Sequence, residues 1–264
     1  MVWMWIVGLV LLVGGAVCVY LAVRAQRRVH AMMAAETLTV PELEQLRGIS
    51  DELGARGGFR KVCEVVGGAA PGPQGLLQAE MTGTECVWHA QRVQRRYRHT
   101  ETDSDGDTRT TTRTETVAQN VSAPTFTIVR DGHTIVVYHG GRHPDGVEQV
   151  VDRFEEARER RTDGGWLRRL GDLVDGDRDD TIGYQYTEWA LRPGTPLYVL
   201  GEVHDRTGAL VIGPPADRTQ HFTVSTRSEE ELTASGRRLQ RLLSRVGAGL
   251  GGVGLVLVAL GVAL

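Results

Sequence analysis

The chain has 264 residues, enough for two membrane helices and one soluble domain of ordinary size. A formal net charge of -3 gives no global field for a polyanion, and three cysteines exclude a disulfide framework. Apolar residues are concentrated at the two ends, and Lys61 is the single lysine, which points to a high-GC, bacterial coding bias.

Val2 to Val23 carries no charge. At about 1.5 Å per residue it is long enough for the ~30 Å hydrocarbon core. Trp3, Trp5 and Tyr20 stand near its ends, where amphipathic rings prefer the interface. It has no basic n-region and no small-x-small cleavage site, so residues 1–24 read as a retained anchor rather than a cleaved signal. Residues 25–58 read as a juxtamembrane helical segment. Within them Thr39-Val40-Pro41-Glu42 is a capping box with proline in the first turn, opening a short helix to about Leu53 that ends at Gly54 and Gly57.

A β-rich domain is expected over 59–227. Phe59 to Val66 is rich in β-branched and aromatic types, and Pro71-Gly72-Pro73 marks a turn. Leu76 to Thr82 and Glu85 to Thr100 are the next strands. The second becomes arginine-rich, passes a polar tip at Asp103 to Asp107 and returns as the threonine-rich Thr108 to Val121, a long hairpin. Phe126 to Arg130 and Thr134 to His139 flank Asp131-Gly132, a strong hairpin signal. Val147, Val150, Val151 and Phe154 fall at helical spacing, so a charged helix is expected over 147–161. With a second short helix over Trp166 to Val174 it forms a helical insertion of about 147–176. Strands resume at Thr181 to Leu191, Pro196 to His204, Ala209 to Ile212 and His221 to Thr226.

Ser228-Glu229-Glu230-Glu231 is a second capping box, opening an amphipathic helix that runs into a second apolar run, Val246 to Leu264. Gly249 to Gly254 matches GxGxxG by letter, but no strand precedes it, so the dinucleotide reading falls. Gly247 and Gly251 form a GxxxG pair that would let helix backbones approach in lipid, against the first helix or a second copy in a homo-oligomer, or they reflect no more than the general frequency of glycine in membrane helices. Arg24, Arg27 and Arg28 follow the first run, and Arg237, Arg238, Arg241 and Arg245 precede the second. The positive-inside rule then gives a two-pass cell-membrane protein with a cytoplasmic central domain.

Cys86-Val87-Trp88-His89 and Arg192-Pro193-Gly194-Thr195-Pro196-Leu197-Tyr198-Val199-Leu200-Gly201-Glu202 give the chain a resemblance. It resembles the GIDE domain, also called BAM for "beside a membrane", the membrane-flanked domain of the mitochondrial ubiquitin ligase MULAN or MAPL, in a bacterial-type form. Pro124-x-Phe126 before Asp131-Gly132, and Phe222 to Ser225 before the acidic cap, match as well. The resemblance marks Cys86, Trp88, His89, Pro193, Gly194, Leu197, Gly201 and Glu202 as family-motif residues. It implies an α+β architecture with a barrel-like domain between two membrane helices, and a ligase (transferase) label. Mitochondrial members add a RING finger after the second span. A RING holds zinc mostly through CxxC thiolates. These residues contain no CxxC, so catalysis by this chain alone is not expected.

Cys63, Cys86 and His89 are the one metal-like set, but the better reading has Cys86 and Trp88 facing the core while His89 faces out or bonds locally. Asp103-x-Asp105-x-Asp107 and Asp175-x-Asp177-x-Asp179 begin like calcium loops, but both lack the later ligands. His139 and His143 are four apart among glycines and a proline, which rules out an ordinary shared helix face. No GxSxG, HExxH or Walker loop is present, and no cofactor is expected. Arg92, Arg95, Arg96 and Arg98 with Tyr97 are candidates for gripping an anionic headgroup, with nucleic acid the weaker reading. The neighbouring Glu101, Asp103, Asp105, Asp107 and Glu115 favour internal charge pairing instead. The expectation is a membrane-tethered binding or sensing module whose partners are the bilayer and a protein. A component of a ligase-like system is the alternative.

Overall fold

A computed structural model describes residues 2–263 except 103, 105, 123, 158–179 and 218. Two long helices, α1 (Val2–Ala34) and α3 (Glu229–Ala263), are each long and apolar enough to cross a membrane. They pack antiparallel along their lengths, in a register that runs from Trp5 against Gly261, through Gly8 against Val258 and Gly15 against Gly247, to Val29 against Gly236. Glycine makes this closeness available: a Cβ on Gly15 would stand 3.1 Å from the Gly247 carbonyl oxygen, and one on Gly254 3.0 Å from that of Gly8. Trp5 Nε1 donates to the Gly261 carbonyl at 2.9 Å, and Gln240 bonds Gln26 at 3.2 Å. Gly247 lies against the first helix of the same chain, near Gly15, Cys18 and Val19.

The short helix α2 (Val40–Glu52) begins in the capping box expected of it. The Thr39 N–H and hydroxyl both donate to Glu42 at 2.7 Å. Leu43 on α2 is fully buried against the β core.

The β domain has two parts. β1 (Arg60–Ala70) pairs with β6 (Thr125–Arg130) and with β10 (Pro196–His204). β7 (His133–Tyr138) joins β6, and β11 (Val211–Gly213) bridges β7 and β10, which closes a five-stranded barrel. β12 (Thr223–Ser225) adds to β10. All barrel pairings are antiparallel except β7 with β11. The closed order β1-β6-β7-β11-β10 with that single parallel pair is the topology of the OB barrel, a five-stranded Greek-key fold. Phe126, Ile128, Ile135, Val137, Val199, Val203 and Ile212 fill the core, with Trp88 and Leu191 brought in from the second part. The β6–β7 turn is closed by Asp131 and Gly132, both at positive φ (53° and 80°), the conformation a two-residue hairpin with right-handed strand twist requires.

The second part is a four-stranded antiparallel sheet in the order β5 (Thr108–Val121), β4 (Trp88–Thr102), β9 (Thr181–Leu191), β8 (Glu148–Glu156). Its strands come from two insertions into the barrel. β4 and β5 leave between barrel strands β1 and β6, and β8 and β9 between β7 and β10. A two-stranded piece, β2 (Leu77–Gln78) with β3 (Glu85–Cys86), leads into β4.

Two expectations need correction. Over 148–156 the chain is strand β8, not helix. Pairing with β9 shifts register between Gln149 and Val151, and this bulge lets the consecutive valines Val150 and Val151 both pack inward. The resulting three- and four-residue spacing of apolar residues imitates a helix. The rest of the expected helical insertion, with Trp166 to Val174, lies outside the described residues. The strand expected over 76–82 is only Leu77–Gln78, because the following residues turn at Gly83 (φ 66°). The first helix runs on without a break from the apolar segment into the juxtamembrane one, to Ala34.

Candidate functional site

The β4–β5 hairpin grows from the connection between barrel strands β1 and β6. In OB barrels the corresponding loop borders the ligand face. Its lower half is anchored in the core: Trp88, Cys86 and Val87 are almost fully buried. The His89 N–H donates to Ser122 Oγ at 3.0 Å, and the Ser122 N–H returns a bond to the His89 carbonyl at 2.9 Å. The upper half alternates. Arg95, Tyr97, His99 and Glu101 share one face with Glu115, Arg113, Thr111 and Arg109, their partners across the ladder.

The four candidate arginines have different surroundings. Arg95 is mostly enclosed: Nη1 pairs with Glu115 at 3.3 Å, Nε donates to Thr181 Oγ1 at 2.9 Å, and the guanidinium lies 4.9 Å from the Tyr97 ring centre. Arg92 lies over Trp189 and Arg96 over Phe154, at 5.4 and 5.1 Å. The exposed Arg98 donates its backbone N–H to the Asp180 carbonyl at 2.8 Å. Arg95, Tyr97, Arg98, His99, Thr100, Glu115 and Asp180 together line an open, polar cleft of about 270 Å³. Glu101 accepts from Arg113 and lies 3.1 Å from His99 Nε2. The cleft therefore carries both signs of charge.

The metal-like set is not assembled. Cys63 and Cys86 are free thiols buried in separate clusters, Cys63 in the barrel and Cys86 beside Ala79 and Ala190. Burial pushes their thiols up to about 12 and about 11. His89 is buried too, not turned outward as strand alternation from Trp88 suggests. Among the described residues no three His, Cys, Asp or Glu side chains converge as a ligand set. His139 stacks on Phe126 with ring centres 5.9 Å apart, while His143 sits edge-on to Trp88 at 4.8 Å and to Trp189 at 5.1 Å. Of the first acidic triplet only Asp107 is among the described residues, and the second triplet lies outside them.

The family-motif residues after β9 build the barrel wall. Gly194 (φ 78°) turns the chain at Pro193-Gly194, where its N–H donates to the Ala69 carbonyl at 2.7 Å. Leu197 is buried in the core. Gly201 lets β11 approach, since a Cβ there would stand 2.7 Å from the Gly213 carbonyl oxygen. Glu202 pairs with Arg60 at 3.1 Å and accepts the Ala216 N–H at 3.2 Å.

Two buried carboxylates escape a reading of the sequence. Glu64 on β1 accepts from the Tyr198 hydroxyl and from Thr37 Oγ1 (3.1 Å), below a cluster of Met32, Tyr198, Leu200 and Leu232 that joins both long helices to the barrel. Burial raises the Glu64 carboxyl above its ordinary value, opposed by the bonds from Tyr198 and Thr37 and reinforced by Glu229. Glu188 accepts the N–H groups of Met81 (2.8 Å) and Thr82 (3.1 Å) and the Thr82 hydroxyl (2.9 Å). The available signal for Glu64 is a lone acid inside an apolar strand, Val62-Cys63-Glu64-Val65-Val66.

A family model named GIDE and described as E3 ubiquitin ligase matches residues 94–260, more than half of the chain. Neither a curated protein nor a solved structure matches.

Proposed function

The chain belongs to the GIDE family, and from that premise we propose that residues 1–264 act as a membrane-anchored docking module without catalysis of their own. The observation that carries this reading is the polar cleft on the β4–β5 hairpin. Arg95 faces Glu115 there, and Arg98 and His99 stand with Asp180. Mixed charge around an aromatic ring suits a polar peptide segment better than a bare polyanion. Against a purely electrostatic grip on lipid or nucleic acid, Arg92 and Arg96 are engaged by aromatic rings and Arg95 by a carboxylate. Against zinc-dependent ligase chemistry within these residues, the three cysteines include no CxxC.

Both spans lie in the membrane in this reading, and the arginines at Arg24 to Arg28 and Arg237 to Arg245 hold the β domain on the cytoplasmic side. A ligase label would then describe a system in which this module positions a partner and the transfer chemistry comes from elsewhere.

The test uses the full chain purified in detergent. Its zinc content, its discharge of ubiquitin from a charged conjugating enzyme and its binding to anionic vesicles across a salt series are measured together. The docking reading expects no stoichiometric zinc, no discharge and no steeply salt-dependent vesicle binding. About two zinc ions per chain with discharge would install the transferase reading. Tight, salt-sensitive vesicle binding would install the lipid reading.

A further inference from the structure

β5 is the edge of its sheet, and among the described residues it pairs only with β4. Edge strands usually carry a protection against pairing with another chain: proline, inward charge, a bulge or short length. β5 is fourteen residues long and contains no proline, glycine or lysine. Its one irregularity is at Val117, which the pairing with β4 skips between Ala118 and Thr116. Below that bulge, Thr108 to Thr116 is a regular, exposed stretch whose midpoint is Thr112.

The sequence of that stretch reads symmetrically about its midpoint. On one face stand Thr108, Thr110, Thr112, Thr114 and Thr116; on the other Arg109, Thr111, Arg113 and Glu115. Antiparallel pairing of two copies about Thr112 sets every threonine of the first face opposite a threonine. On the second face it sets Arg109 opposite Glu115 twice. Sliding the centre to Thr111 opposes Arg109 and Arg113, and sliding it to Arg113 opposes that arginine to itself. Cross-strand threonine and opposite-charge pairs are favourable, and like charges directly opposite are not.

We propose that the outer edge of β5 is a self-recognition surface, which joins two copies of this chain in an antiparallel strand pair centred on Thr112. Centring two residues away, on Thr110 or Thr114, also keeps opposite charges paired, but it shortens the regular overlap or runs it past the irregularity at Val117. The occupant is a second copy because, centred on Thr112, the charge pattern complements itself over the whole stretch from Thr108 to Thr116. The two-fold axis passes midway between the two Thr112 residues, perpendicular to the sheet, and the barrels lie at opposite ends of the joined eight-stranded sheet.

The register makes the test specific. Directly opposite residues in an antiparallel pair have Cα atoms about 4.5–5.5 Å apart, within reach of a disulfide. Thr112→Cys should therefore form a covalent dimer when the full chain in mild detergent is gently oxidised. Thr108→Cys should not, because its two copies would stand about 27 Å apart at ~3.4 Å per residue. The unsubstituted chain is the control for its own three cysteines. Adding Arg109→Glu to Thr112→Cys should cut the dimer yield about tenfold by placing a second carboxylate opposite Glu115, whereas Arg109→Lys should leave it nearly unchanged. Equal linking at both positions, no linking at Thr112, or indifference to Arg109→Glu would each overturn the proposal. A dimer seen by light scattering that leaves Thr112→Cys unlinked would do the same, and would move the interface elsewhere.

Discussion

Replacing Tyr198 with phenylalanine removes one oxygen from the joint between the long helices and the barrel. Glu64 is 1% exposed and accepts from the Tyr198 hydroxyl and Thr37 Oγ1. Without the phenol, one carboxylate oxygen stays buried without its donor. A hydrogen bond to a charged group contributes about 1.5–3 kcal/mol. At about 2–4 °C per kcal/mol for a domain of this size, Tm should fall by about 3–12 °C. The pH dependence has a defined sign. Burial holds the folded-state carboxyl of Glu64 above its ordinary value of 4.5. Its contribution to stability is therefore fully present below that ordinary value and is lost as pH rises through the raised folded one. The Tyr198 bond restrains the rise, so Tyr198→Phe should raise Glu64 further, with the Tm deficit largest at neutral pH and narrowing towards 4.5. Tryptophan-fluorescence melting of the full chain in detergent, at matched scan rates across that pH range, reads both effects. A deficit under about 1 °C at neutral pH, or one that grows on acidification, would refute the reasoning.

Glu188→Ala should destabilise the chain by about 2–4 kcal/mol, since the Met81 and Thr82 N–H groups lose their shared acceptor; thermal melting checks it. Cys63 and Cys86, with thiols pushed up to about 12 and about 11 by burial, should resist a maleimide in the native chain and react fully once it is denatured. Mass spectrometry of the labelled peptides distinguishes them from Cys18.

The legible parts of the fold are those with a local cause. Capping at Thr39, the turn at Asp131-Gly132 and unbroken apolar runs each determine structure within a few residues, and the structure has all of them. β8 reads as a helix because its cause is not local. The bulge that packs both Val150 and Val151 inward depends on Glu188 and Trp189 of β9, nearly forty residues on. The closure of the barrel, which needs β1 to pair with two partners, leaves no periodicity to find. At the candidate site the arginines are visible in the sequence, but their different surroundings are not. Trp189 and Phe154, which hold Arg92 and Arg96, come from strands of the second insertion. Glu64 looks like an interruption in an apolar strand because its donors, Thr37 and Tyr198, lie far away in sequence.

The continuity of α1 past its apolar run has an electrostatic consequence. Val2 to Val23 is uncharged, and Arg24 to Ala34 carries the same helix about 16 Å further. The β domain reaches down along that stretch: His221, just before β12, is held below its ordinary value by burial and then by Arg28 and Arg24. The arginines that end the apolar run therefore act on the folded domain as well as on whatever surrounds the helices.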